Sequence, residues 1–438
     1  MNDFMKEKIT SKIHNMQAST NVFETGRIMR IYKYVVEIKG LMNAGYFEEV
    51  QIGNKAKGYI NVIKEDSVIV SLVKIEKDIY VGDEATLTGR KFEATFSEDS
   101  IGHIVDMFGK DQMNAQYFAN YKSQPIEHNA ISIMSRNSVN RPLYTGISGI
   151  DLLYPIGKGQ RQLILGDKKT GKTQIALDTI CNQKSKDVLC IYISIGKTKK
   201  SVKDIYQQLM YQRAMEHTII LCANNDEQPP VMSLTPYVGL SIAEDYMMQG
   251  KDVLVVIDDL KRHADVYREI ALLTGKEPGR DAYPSDIFYT HSRLLEKGCQ
   301  HVGGGSITIL PIMETRGGDI TEYISTNIIS ITDGQIVLSK KNFDKGQKPA
   351  IDYGLSVSRL GGSVQEKQVK KIGSKTRREL LSYLETRDIY ELANIDEMGE
   401  ALQTKLRRGQ KLLEAFKQYK YSAKDVEEMV QIFSAFME

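Results

Sequence analysis

Gly166-Asp167-Lys168-Lys169-Thr170-Gly171-Lys172-Thr173 fits the pattern G-x-x-x-x-G-K-S/T at each fixed position. The apolar run from Gln162 to Leu165 precedes it and reads as a buried strand, and Gln174 to Cys181 after it reads as a helix. That order of strand, loop and helix is the context a phosphate-binding loop requires. Glycines let the backbone curl until successive N–H groups point at phosphate oxygens, and the positive end of the following helix dipole adds to the attraction. On this reading Lys172 reaches the β and γ phosphates of ATP or ADP, and the Thr173 hydroxyl ligates Mg2+.

The same pattern extends outward from the loop. Between about Lys91 and Gln365, apolar runs alternate with helical stretches: Gln162 to Leu165, Val188 to Ile195, Thr218 to Ala223, Val253 to Ile257 and Ile307 to Ile312. Such runs are the mark of strands buried on both faces, so a mostly parallel sheet covered by helices is predicted for 92–365. Before it, 22–91 has period-two stretches broken by Gly and Asp turns, which predict a small β-barrel or sandwich. Beyond Gln365 glycines are few, and Glu379 to Leu384 and Leu412 to Phe416 carry helix-period apolar faces, so 366–438 is a short helical bundle. Residues 1–21 place Phe4 or Met5, Ile9, Ile13 and Met16 at helical spacing, as expected of an amphipathic docking helix or cap.

Composition bounds the partners. The 438 residues carry 58 Lys+Arg against 56 Asp+Glu, a net charge of +2, which argues against a nucleic-acid face. The longest unbroken apolar run is the six residues Val188 to Ile193, far short of the ~18 needed to cross a bilayer. No charged-then-apolar leader opens the chain, so a cytoplasmic protein is expected. Cys181, Cys190, Cys222 and Cys299 lack metal-ligand spacing and are expected to be buried free thiols.

A Mg2+ site at such a loop needs a second carboxylate at the end of another buried strand. Asp258, followed by Asp259, ends the run Val253 to Ile257 and is the candidate, acting through water. Hydrolysis needs a further carboxylate to orient the attacking water. In sheet ATPases of this layout it is expected after the strand Val188 to Ile195, where this chain has Gly196-Lys197-Thr198-Lys199-Lys200. A lysine, with an ordinary pKa of about 10.4, cannot serve as the base. The site therefore reads as built to bind ATP rather than to split it, unless Glu216 or Glu244 substitutes. Arg359, in the Gly-flanked stretch Leu355 to Gly362, is either a solvated surface residue or an arginine finger offered to a neighbouring subunit.

Taken together, the motifs resemble the alpha subunit of the rotary F-type ATP synthase, from about Glu24 to Val430. The stretches carrying the resemblance are Gly146 to Asp151, Pro155 to Arg161, Pro278 to Pro284, His291 to Glu296, Thr326 to Ile336 and Ser356 to Arg359. The resemblance implies a β-barrel crown, a RecA-like nucleotide-binding core and a C-terminal helical domain. It implies a ring in which three such chains alternate with three beta-type catalytic chains around a gamma-type shaft. A peripheral stalk or other machinery is then expected at the N-terminus, with only indirect membrane contact on the cytoplasmic side. In that family alpha sites bind Mg·ATP without turning it over, and Arg359 matches the arginine finger that reaches the adjacent beta site. Lys348 and Pro349 match the pair flanking the adenine, and Gln418 matches one of two glutamines near the base.

This chain also departs from the family pattern. Gln is usual where it has Lys197 and Lys169, Arg where it has Lys348, and a second Gln where it has Lys420. The loop between Cys299 and Gly305 is shorter, and the sequence ends at Glu438, before the last helices of typical alpha subunits. Together these suggest, as an alternative, an F-type-like paralogue that drives motility or transport. A hexameric nucleic-acid or protein translocase on the same core is the alternative from another class.

Overall fold

The computed structural model describes residues 24–127, 130–389 and 399–436; the helix expected within 1–21 lies outside them. The chain divides into two compact units. The first runs to Phe92 and includes Leu273–Gly275, and the second comprises Glu93–Leu272 and the chain from Lys276 onward.

The first unit is a closed barrel of six strands: β1 (Thr25–Tyr32), β2 (Val35–Lys39), β3 (Glu48–Ile52), β4 (Ala56–Ile63), β5 (Ser67–Ile75) and β6 (Glu84–Lys91), joined in the order β1-β2-β5-β4-β3-β6. The period-two pattern explains it. Along β1, residues alternate between exposed and buried through Ile28, and Val36, Ile38, Val50, Ile52, Ile60, Val70 and Leu72 fill the interior. Closure leaves no free strand edge among the six.

In the second unit a ten-stranded sheet carries the site. Its main path uses β7 (Ile104–Val105), β8 (Leu163–Gly166), β9 (Val188–Lys197), β10 (Thr218–Asn224), β11 (Asp252–Asp258), β12 (Ser306–Glu314), β13 (Gly334–Leu338) and β14 (Val357–Ser358), in the order β14-β13-β8-β12-β11-β9-β10-β7. All neighbours on this path are parallel except β13 and β14. Each apolar run singled out in the sequence is one of these strands, and β10 and β11 are buried along their whole length. The 20-residue helix Pro229–Met248 is apolar on nearly every side because it is buried on nearly every side. No described helix is long and apolar enough to cross a membrane.

Three helices, Lys367–Ile389, Glu400–Ala415 and Val426–Ser434, close the second unit. Leu380, Leu406, Leu412, Phe416, Met429 and Phe433 join the same buried cluster as Ile175, Tyr192 and Leu338, so this bundle shares its core with the sheet. The four cysteines are unpaired; three are buried and Cys181 is only half-buried.

Candidate functional site

A parallel sheet collects its loops at the carboxyl ends of its strands, and the predicted loop Gly166–Thr173 and Asp258 meet there. The loop Gly166–Thr173 leaves β8, which lies between β12 and β13. Gly166 is packed so tightly that a Cβ would fall 2.7 Å from Leu338 O, so no other residue fits without moving β13. Lys172 and Thr173 then open the helix Lys172–Cys181. Lys172 Nζ donates to Gly166 O at 2.7 Å and Asp167 O at 2.6 Å, which folds the ammonium back over the loop. Burial pulls its pKa down, opposed by the nearby carboxylates of Glu314, Asp259 and Asp258. Thr170 Oγ1 donates to Asp167 O at 2.8 Å. Asp167 itself turns outward, accepting from Thr315 Oγ1 and Gly318 N. Lys168 and Lys169 are exposed at the loop tip, Lys168 3.5 Å from Glu314 and Lys169 at a φ of 63°.

Two strands away Asp258 ends β11, as the sequence predicted. Its Oδ2 accepts from Thr173 Oγ1 at 2.7 Å and from Tyr192 OH at 2.6 Å, while Oδ1 lies 3.0 Å from Lys197 Nζ. A hydroxyl that gives its proton to a buried carboxylate keeps its lone pairs free, so the Thr173–Asp258 pair fits Mg2+ held directly by Thr173 and through water by Asp258. Asp259, buried beside that charge, has its carboxyl pKa pushed up to about 6, chiefly by loss of solvent.

Alongside the loop lies a cavity of about 290 Å3, lined among others by Thr170, Gly171, Gln174, Phe343, Pro349 and Tyr419. Mainly apolar walls beside such a loop suit a nucleobase. Lys348, Gln418 and Lys420 line the same space. Lys348 Nζ lies 5.8 Å over the Phe343 ring. The Gln418 side chain is committed to the protein: Oε1 accepts from Ser148 N at 2.8 Å, and Nε2 donates to Gly146 O and Ser422 O. It locks the turn after Phe416 onto the segment before Asp151.

Arg359 is elsewhere. Residue 358 pairs with Gly334, the first residue of β13, whereas Gly166 pairs with Leu338, the last. Four residues of strand, about 13 Å, separate the two levels, so Arg359 stands at the end of the sheet opposite its own phosphate loop. It is exposed; its backbone N–H donates to Asp333 O, and Nη2 reaches Ile329 O at 3.3 Å. Asp333 is in turn held by Arg161 at 2.7 Å.

Neither substitute base stands near the loop on strand topology. Glu216 precedes β10, at the amino ends of the strands, and Glu244 is buried against Lys297 at 2.7 Å. The sequence reading missed Glu314, which ends β12 level with Gly166. Its signal was available, because it terminates an apolar run just as Asp258 does. Tyr192 was hidden inside its strand, Phe343 sits in the five-residue helix Lys340–Asp344, too short to show a period, and Tyr419 lies in an irregular stretch.

Residues 146–358 match the family model described as ATP synthase alpha/beta family, nucleotide-binding domain. The chain is 41% identical over 430 residues to an ATP synthase subunit alpha of Pediococcus pentosaceus, covering 98% of this chain and 85% of that one. It is 42% identical over 425 residues to the corresponding subunit of Limosilactobacillus reuteri, covering 96% and 83%. With that of Clostridium acetobutylicum the identity is 41% over 430 residues, covering 98% and 85%.

Proposed function

Since the chain belongs to the alpha subunits of the F-type ATP synthase family, we propose that it is the nucleotide-binding, non-hydrolysing member of an alternating ring with beta-type catalytic chains. The observation that carries this is Lys197. At the end of β9, where a water-orienting carboxylate would stand, there is an ammonium, 3.0 Å from Asp258. Such a site can grip phosphates through the Gly166–Thr173 loop but has no base on that strand to aim water at them. The position of Arg359, at the far end of the sheet from its own loop, supports its role as a finger for the neighbouring beta site.

In this reading Gly166, Gly171, Lys172 and Thr173 hold the phosphates of ATP or ADP, and Thr173 with Asp258 holds Mg2+. Mg2+, when bound, supplies charge neutralisation between the phosphates. Lys348 and Pro349 border the base, and Gln418 shapes that pocket by bracing its backbone. The division into a crown at 22–91, a nucleotide domain at 92–365 and helices at 366–438 belongs to the same proposal. So do a gamma-type shaft inside the ring, a stalk or other machinery at the N-terminus, and a place on the cytoplasmic face of the membrane.

The test compares ATPase turnover of the purified chain with that of the same chain reconstituted with a beta-type partner. The chain alone should retain ATP or ADP on acid extraction and turn over almost none. Substantial turnover by the chain alone, lost in both Lys172→Ala and Glu314→Gln, would make Glu314 a base and sink the non-hydrolysing role. Pulling down the complex decides which machine the ring drives: ion-channel subunits mean a synthase or pump, other partners a repurposed motor.

A further inference from the structure

Lys197 does more than fill the place of a base. The chain reaches it through a kink: Gly196 has a φ of 68°, and a Cβ there would lie 2.8 Å from the Arg262 side chain. A side chain at 196 is thus disfavoured both by backbone conformation and by space. The ladder between β9 and β10 also skips a residue between Ile195 and Lys197. Without the kink, residue 197 would simply continue past Ser194, the partner of Asp258 in the β9–β11 ladder. With it, Nζ comes back to Asp258 Oδ1 at 3.0 Å. Asp258 is 3% exposed and Lys197 24%, so the contact is shielded from solvent on the carboxylate side.

The opposite oxygen of Asp258 already takes the Thr173 and Tyr192 hydroxyls. The carboxylate that would face a divalent ion through water therefore already carries a fixed positive charge. Two cations sharing one carboxylate weaken each other's hold on it, and the tethered one pays no entropy for arriving.

We propose that Lys197 is a built-in cation of this nucleotide site, taking over part of the neutralisation that Mg2+ supplies, so that the chain holds ATP nearly as well without the metal as with it. This rests on the nucleotide reading given above.

The experiment is a titration of the full chain, freed of nucleotide, with a fluorescent N-methylanthraniloyl ATP in excess Mg2+ and again in EDTA. For the wild type, the two Kd values should agree within about threefold, whereas Lys197→Gln should separate them by about tenfold or more, the scale of one well-placed charge contact. Lys197→Arg keeps the charge and should keep the wild-type ratio, which distinguishes a charge effect from a folding defect. A wild-type ratio as large as that of Lys197→Gln overturns the proposal. Absence of binding to the wild type in both buffers overturns it too, but by removing the nucleotide site itself, an outcome visible without any variant.

Discussion

The Thr173 hydroxyl donates to Asp258 Oδ2 at 2.7 Å, joining the first turn of the helix after the phosphate loop to the end of a strand two places away in the sheet. Asp258 is also the partner of Tyr192 OH and Lys197 Nζ, so it organises three donors from two other elements. Removing it leaves a buried phenol and an ammonium without their acceptor. Asp258→Ala is expected to cost about 2–4 kcal/mol of stability, the range for stranding buried polar and charged groups. Urea denaturation checks this, and an unchanged midpoint would show that the cluster relaxes into water without penalty.

Lys172 makes a separate prediction because its ammonium is held at the loop by Gly166 O and Asp167 O. Lys172→Ala should lower ATP affinity by about a hundredfold, or ~2.7 kcal/mol, while circular dichroism stays that of the parent. Affinity within a factor of ~3 of the wild type would mean that the backbone N–H groups alone carry the binding.

Arg359 should behave in the opposite way. Standing at the amino ends of the strands, it cannot touch the nucleotide of its own chain, so Arg359→Ala is expected to leave nucleotide retention by this chain unchanged. In the ring reconstituted with a beta-type partner, turnover should fall by ~10³-fold or more, the usual size of a lost arginine finger. Arg359→Lys should not restore it, since a point charge lacks the planar fork. Full turnover in the Arg359→Ala ring would reduce Arg359 to a surface residue.

How far the sequence could be read depended on the kind of signal. The strands around the loop were legible because burial on both faces leaves uninterrupted apolar runs, and Val188 to Ile195 can be little else. Gly166 to Thr173 was legible because close backbone approach to Leu338 and the need for N–H groups at phosphate constrain residue type at fixed spacing. Tyr192 could not be singled out, because within an apolar strand its hydroxyl looks like one more buried aromatic until Asp258 is placed opposite. The same holds for Gln418. The family resemblance implies a place near the base for it, but only the fold shows its amide spent on Ser148, Gly146 and Ser422, 270 or so residues away or in the next turn. Gln418→Ala should accordingly destabilise the packing of the C-terminal helices, by about 1–3 kcal/mol for buried backbone groups left unpaired. Equal thermal stability of variant and parent would return Gln418 to the role of a plain ligand contact.

A last consequence concerns acid. His263 and His291 are fully buried, with His263 Nδ1 3.3 Å from His291 Nε2 and His263 Nε2 3.1 Å from Ser233 O. A carbonyl can only accept, so His263 donates through Nε2; in the neutral ring its Nδ1 then accepts, and His291 donates through its own Nε2. This leaves His291 Nδ1 without a hydrogen-bond partner. In that arrangement a proton added to His263 Nδ1 would face the N–H of His291. Burial pulls the pKa of His263 down to about 4 and that of His291 well below its ordinary value, the latter further opposed by His263. A depressed pKa means that the unfolded chain takes up protons first. The stabilising contribution of the neutral pair is thus complete above about pH 6.5 and is lost as pH falls toward 4, by about 3 kcal/mol for His263 alone. His263→Gln keeps a donor for Ser233 and cannot charge, so its stability should fall less steeply than the parent's between pH 6.5 and 4. Urea unfolding across that window reads the difference, and parallel curves for the two proteins would show that His263 does not resist protonation in the fold.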